Sequence, residues 1–120
     1  MHVTTRTDRR VRIERWPVPA GSPTLAKLAV VGVLDGDSVS DLCDATAAVM
    51  ASGSRHLRLD LAGVTSCDNA GLYTLLGVQS ALRSMRGSLT LVRPSLPVHT
   101  GLRAAGLHLR LVIAPPGSVM

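Results

Sequence analysis

Phenylalanine is absent from this chain of 120 residues, and Trp16 and Tyr73 are its only aromatic residues. The interior must therefore be packed by Leu, Val and Ala, and no aromatics are interleaved with basic residues for stacking nucleic-acid bases. Cysteine occurs only at positions 43 and 67, too sparsely for a disulfide framework. The two thiols read as reduced side chains, at least one of them packed as a small hydrophobe. Long apolar runs are missing too. Leu25–Leu34 is interrupted by Lys27 and is about half the roughly 20 residues a membrane-spanning helix needs. The opening MHVTTRTDRR carries charge with no apolar segment behind it, so no secretory signal is expected. No membrane insertion is expected, and a cytoplasmic location follows.

What is present describes one globular domain. Hydrophobic residues make up 46% and charged residues 18% of the chain, outside the range of disordered sequences. The length leaves no room for a second core. The formal charge is +5, and much of it sits at the start. Arg6, Arg9, Arg10, Arg12 and Arg15 are offset there only by Asp8 and Glu14. Such an arm can contact nucleic acid or an acidic partner. Without a recognisable DNA- or RNA-reading motif it reads better as a solvated tail, and no direct nucleic-acid binding is expected.

Hydrophobic periodicity orders the chain. Val11–Trp16 alternates apolar and polar and suits an edge strand, with Pro17–Pro23 as the loop after it. Leu25–Leu34 reads as a strand buried on both faces. After the turn Asp35-Gly36-Asp37, Ser38 or Ser40 offers an N-cap for a helix with its stripe at Val39, Leu42, Cys43, Thr46, Val49 and Met50. His56–Leu61 is a third strand. A helix from about Asn69 to Met85 presents Gly71, Leu75, Val78, Leu82 and Met85 on one face, widened by Leu72 and Leu76. Strand Ser88–Val92, a short helix Pro97–Ala105 and a last strand Leu107–Ile113 complete the order. Two antiparallel strands followed by strand-helix-strand units predict an α/β fold with a mixed, mostly parallel sheet and right-handed crossover helices. The domain is expected over residues 10–114, between a flexible basic tail at 1–9 and a flexible segment at 115–120.

Catalytic candidates are few. His2, His56, His99 and His108 show no paired spacing with the cysteines, so no metal site is expected. No phosphate-cradling glycine loop and no Gly-x-Ser-x-Gly elbow occur, and no cofactor is implied. Cys67 stands before a helix start, where a dipole lowers a thiol's pKa, but the adjacent Asp68 opposes that effect. The more informative feature is the turn itself. Asp68 and Asn69 both suit an N-cap, and Gly71 allows another backbone to approach closely. Loops at the carboxyl ends of parallel strands share one edge of the sheet, so Asp35 and Asp68 should be neighbours there.

The segment Leu59–Val78, LDLAGVTSCDNAGLYTLLGV, resembles the signature of the STAS domain family, typified by bacterial anti-sigma-factor antagonists. That pattern is an apolar strand, a short loop, then Asp-Ser-Ser/Thr-Gly-Leu and an apolar helix. Val31-Gly-Val-Leu-Asp35 is similar to the family's Gly-x-Leu-Asp, and the element order agrees from Val11 to Ile113. The resemblance implies a single STAS-like domain that regulates transcription without being an enzyme. Its partner would be an anti-sigma factor that is also a serine protein kinase. In the family that kinase phosphorylates the first serine after the aspartate, which changes an interface by nearly two negative charges. Here the position is Asn69, followed by Ala70, and an amide cannot form a phosphoester.

The expected partner surface comprises Asp35, Asp68, Asn69, Ala70, Gly71 and Leu72, held in the unphosphorylated-like state. Two other readings stay open. One is a STAS subunit of a transporter or stress-signalling assembly; the other is a small thiol-dependent enzyme using Cys67.

Overall fold

In the computed structural model, which describes residues 11–115, the alternating VRIERW forms strand β1 (Val11–Trp16). It pairs antiparallel with β2 (Leu25–Leu34) across a proline-rich loop that lacks the donors to extend a ladder. From β2 onward every strand is parallel to the one before: β3 (His56–Cys67), β4 (Ser88–Val92) and β5 (Val112–Ile113). The spatial order is the order in the chain, so the sheet runs β1-β2-β3-β4-β5. Successive right-handed crossovers between adjacent strands place their helices on one face of the sheet. These helices are α1 (Val39–Ala51), α2 (Asn69–Ser84) and α3 (Leu96–Ala104), and α2 contacts both of the others. The mixed, mostly parallel α/β architecture anticipated from periodicity is the one observed. The expected tails lie outside the described residues, Pro115 excepted.

The core is aliphatic throughout. Leu28, Val30 and Leu34 of β2 meet Leu57, Leu59 and Leu61 of β3, and Leu89 and Leu91 extend the layer into β4. Leu42 and Val49 of α1, Leu75, Val78 and Leu82 of α2, and Val98 and Leu102 of α3 close over them. Each fully buried leucine or valine contributes about 1.5–3 kcal/mol over exposure, so no aromatic residue is needed. The interior strand β2 is buried on both faces over Ala26–Val30, including Lys27.

Four local expectations need correction. β3 does not stop at Leu61 but continues to Cys67, because the ten-residue β2 offers a partner as far as Leu34, which lies opposite Cys67. Register shifts beside Ala29 and Gly32 absorb the glycine-containing stretch that reads as a break in the sequence. The last strand is shorter than the expected Leu107–Ile113: a 3₁₀ turn takes Leu107–Leu109 and only Val112–Ile113 pair with β4. Cys43 lies on α1's exposed side, and Met85, past the end of α2, is also exposed. Finally, α1 is not capped by a serine side chain. Asp35 accepts from the Asp37 amide while Ser38 Oγ accepts from the Asp35 amide at 2.7 Å, a capping box around the 3₁₀ turn Gly36–Ser38 that precedes the helix.

One buried charge sits in β3. Asp60, whose side chain is 3% exposed, accepts from Arg93 Nε at 2.9 Å and again from Nη2, and its other oxygen accepts from the Ala62 amide at 2.8 Å. Arg93 closes β4 in the left-handed region at φ 51°, which aims the chain into α3. Replacing Arg93 with Ala leaves that carboxylate uncompensated. The expected loss is about 2–3 kcal/mol in a urea titration, below the cost for a wholly enclosed pair because water replaces the half-exposed guanidinium. Unchanged stability would show that water alone satisfies Asp60.

Candidate functional site

The register that ends β2 at Leu34 and β3 at Cys67 brings two turns side by side at one edge of the sheet. Asp35 follows the first strand and Asp68 the second. The Asp68 amide donates to the Leu34 carbonyl at 3.2 Å, prolonging the ladder by one bond. Asp68 then becomes the N-cap of α2, with extended backbone and Oδ1 accepting from the Gly71 amide at 2.9 Å. The amides of Asn69 and Ala70 meet no acceptor among the described residues and face outward with the positive end of the helix.

Gly71 sets the distance between the turns. A Cβ built there would lie 2.2 Å from the Leu34 carbonyl oxygen and 3.0 Å from the Asp35 nitrogen. No other residue lets the first turn of α2 rest on the end of β2 in this way. A Cβ at Gly36 would lie 3.7 Å from that of Ala70, so the Asp35–Asp37 turn and the helix start form one continuous surface.

Of the six residues expected on that surface, Asp68, Asn69 and Ala70 are exposed and Asp35 is half-buried. Gly71 and Leu72 are buried. Leu72, 2% exposed, packs under Gly101 of α3 and supports the tip from beneath. Tyr73 was missed by sequence reasoning. It is 49% exposed and stands one helical turn after Asn69 on the same side of α2. The signal was available: an aromatic residue in a chain with two, outside the buried stripe. Gln79 was also missed. It is buried, donating from Nε2 to the Arg110 carbonyl at 3.2 Å.

Nearby nucleophiles are occupied. Cys67 Sγ donates to the Pro97 carbonyl at 3.4 Å. Burial, with the Asp68 carboxylate beside it, pushes the thiol's pKa up, away from the thiolate that chemistry requires. Thr74 Oγ1 donates back to the Ala70 carbonyl at 2.8 Å, inside the helix. His56 is at the opposite end of β3, bonded to Ser88. Among the described residues no three His, Cys, Asp or Glu side chains are grouped to hold a metal, and no helix is long and apolar enough to cross a membrane.

Residues 20–113 match the family model described as Mlab, STAS domain. Among solved structures, the chain is similar to the anti-sigma factor antagonist SpoIIAA of Bacillus in its unphosphorylated form, at 18% identity and a TM-score of 0.69. That match covers 88% of this chain and 90% of the other. An anti-sigma factor antagonist from Mycobacterium paratuberculosis is similar at 20% identity and a TM-score of 0.70, covering 88% of each chain. The same fold recurs inside SLC26A9, at 14% identity and a TM-score of 0.58, over 88% of this chain but 22% of that one. No curated protein matches the sequence. At these identities the structural likeness is one of fold.

Gly71→Ala should force α2 off the end of β2 and cost about 1–3 kcal/mol of stability, readable as a lower midpoint in denaturant. The thiols should separate by rate. At neutral pH a mild alkylating reagent should modify exposed Cys43 first, and Cys67 should need a higher pH because its raised pKa keeps it protonated. Peptide mass analysis over a pH series reads both.

Proposed function

The chain belongs to the STAS domain family, and from that premise we propose that it is a non-enzymatic antagonist of the anti-sigma-factor type. It captures an anti-sigma factor that is also a serine protein kinase, and so regulates sigma-factor-dependent transcription. The contact surface is the tip built by Asp35, Asp68, Asn69 and Ala70, with Tyr73 beside it and Gly71 and Leu72 holding it from below. The supporting observation is Asn69 at the first position of α2. It is exposed beside an acidic turn, where the family pattern carries the phosphoacceptor serine.

The physical consequence is a binding surface without its usual off-switch. A phosphate at this position would add charge beside Asp35 and Asp68 and oppose docking of a partner complementary to the unmodified tip. Asn69 supplies polar contacts and no site for that modification. Ser66 precedes the cap, and Thr74 is committed to its own helix, so neither stands in for the missing hydroxyl. Cys67, half-buried and bonded to a carbonyl, gives the thiol-enzyme reading little support. A second reading, a STAS subunit of a transporter assembly, is favoured by one observation: the fold is a minor part of the much longer SLC26A9 chain. It predicts recovery with an ATPase and membrane components rather than with a soluble kinase.

The immobilised chain should retain a kinase-type anti-sigma factor from the native cell extract, and ATP labelled in its terminal phosphate should leave the chain unmodified. Asn69→Ser should accept label. Asn69→Asp should weaken capture about tenfold or more while leaving folding unharmed, because an acid at a helix start is itself favourable. Label appearing on the wild-type turn, or equal capture by Asn69→Asp, would overturn the reading.

A further inference from the structure

A second concavity shares no residue with the α2 tip. It opens where the β4–β5 ladder fails. Only Thr90–Val112 and Leu91–Ile113 pair, with one more bond from the Ala114 amide to the Leu91 carbonyl at 2.8 Å. Beyond it Pro115 has no N–H to donate, and Arg93 turns the β4 chain away. The two chains part around a cavity of about 510 Å³, within the range of small-molecule sites. Gly106, at φ 74°, ends α3 and folds the following 3₁₀ turn back so that His108 reaches the same space.

The lining has two characters. Pro94, Ile113 and Ala114 give it an apolar wall, backed by the buried Val92 and Leu102. Among the described residues its ionisable side chains are all cationic or imidazole: Arg93, Arg103, His99 and His108, with no carboxylate among them. Arg93 is committed to Asp60, whereas Arg103 forms no ion pair among the described residues. His99 and Arg103, four residues apart on α3, present themselves on one side of the helix. An excess of donors and positive charge around an apolar wall is complementary to one kind of molecule.

The geometry points to a binding site for a small amphipathic anion, an oxyanion head (carboxylate or phosphate monoester) on an apolar body. The head meets Arg103 and the imidazoles, and the body covers Pro94, Ile113 and Ala114. This site is independent of the partner surface, and its test says nothing about that surface.

Titration calorimetry of the full chain with octanoate, octyl phosphate, octanol and octyltrimethylammonium, all as dissolved monomers, tests the assignment. At least one of the two anions should bind with a dissociation constant below about 1 mM, and whichever binds more tightly identifies the head. Octanol should bind at least about fivefold more weakly, and the cation should not bind. Arg103→Glu, on an exposed position in the last turn of α3, should weaken the anion by at least about fivefold, with only the small drop in melting temperature that an acid at a helix end brings. Ala114→Phe, which fills the mouth, should abolish binding of both anions. Equal binding of octanol and the anions, an anion indifferent to Arg103→Glu, or no heat from either anion up to about 5 mM would each overturn the proposal.

Discussion

The first turn of α2 rests directly on the end of β2, and the rest of the site depends on that contact. It requires a glycine, because a Cβ at position 71 would penetrate the Leu34 carbonyl. It is fixed from both sides. The Asp68 amide reaches Leu34 while the Asp68 carboxylate holds Gly71, so strand end and helix start share one short hydrogen-bonded junction. The acidic turn after β2 and the capped start of α2 therefore cannot move independently. A surface made from two loops behaves as one rigid patch.

The junction exists because β2 and β3 end level. β4 pairs with β3 only as far as Asp60, leaving the last seven residues of β3 with β2 as their ladder neighbour. That two-stranded extension carries the tip beyond the body of the sheet. Its cost is an unpaired edge, and α3 covers part of it: the Ser95 amide donates to Leu61 and Gly101 packs on Leu72. The same early exit of β4 opens the basic cavity beside α3. Two candidate binding features thus derive from one mismatch in strand length.

Much of this was legible beforehand. The order of elements, the antiparallel start, the parallel remainder and the aliphatic core follow from periodicity and composition. Gly71 as a point of close approach and Asp35 beside Asp68 follow from the rule that strand-end loops share a sheet edge. The errors occurred where partners outweigh local pattern. Ala62-Gly63 reads as a strand terminus, yet β2 supplies a ladder through it. LHLRLVI alternates like a strand, yet Leu107 is drawn into the core by a 3₁₀ turn. Leu72, expected both on the buried stripe and in the partner surface, faces inward with Leu75 and Gln79.

By itself the sequence determined an α/β domain of the STAS kind, with an amide, Asn69, at the start of its second helix, because side-chain chemistry and hydrophobic period are written residue by residue. Tertiary structure alone decided which residues of the turn reach solvent, that Tyr73 joins them, that Cys67 is spent on a carbonyl, and that four basic or imidazole side chains from separate elements meet around a cavity. Those outcomes depend on strand register and strand length, which are set by pairing between distant segments and leave no local mark in either one.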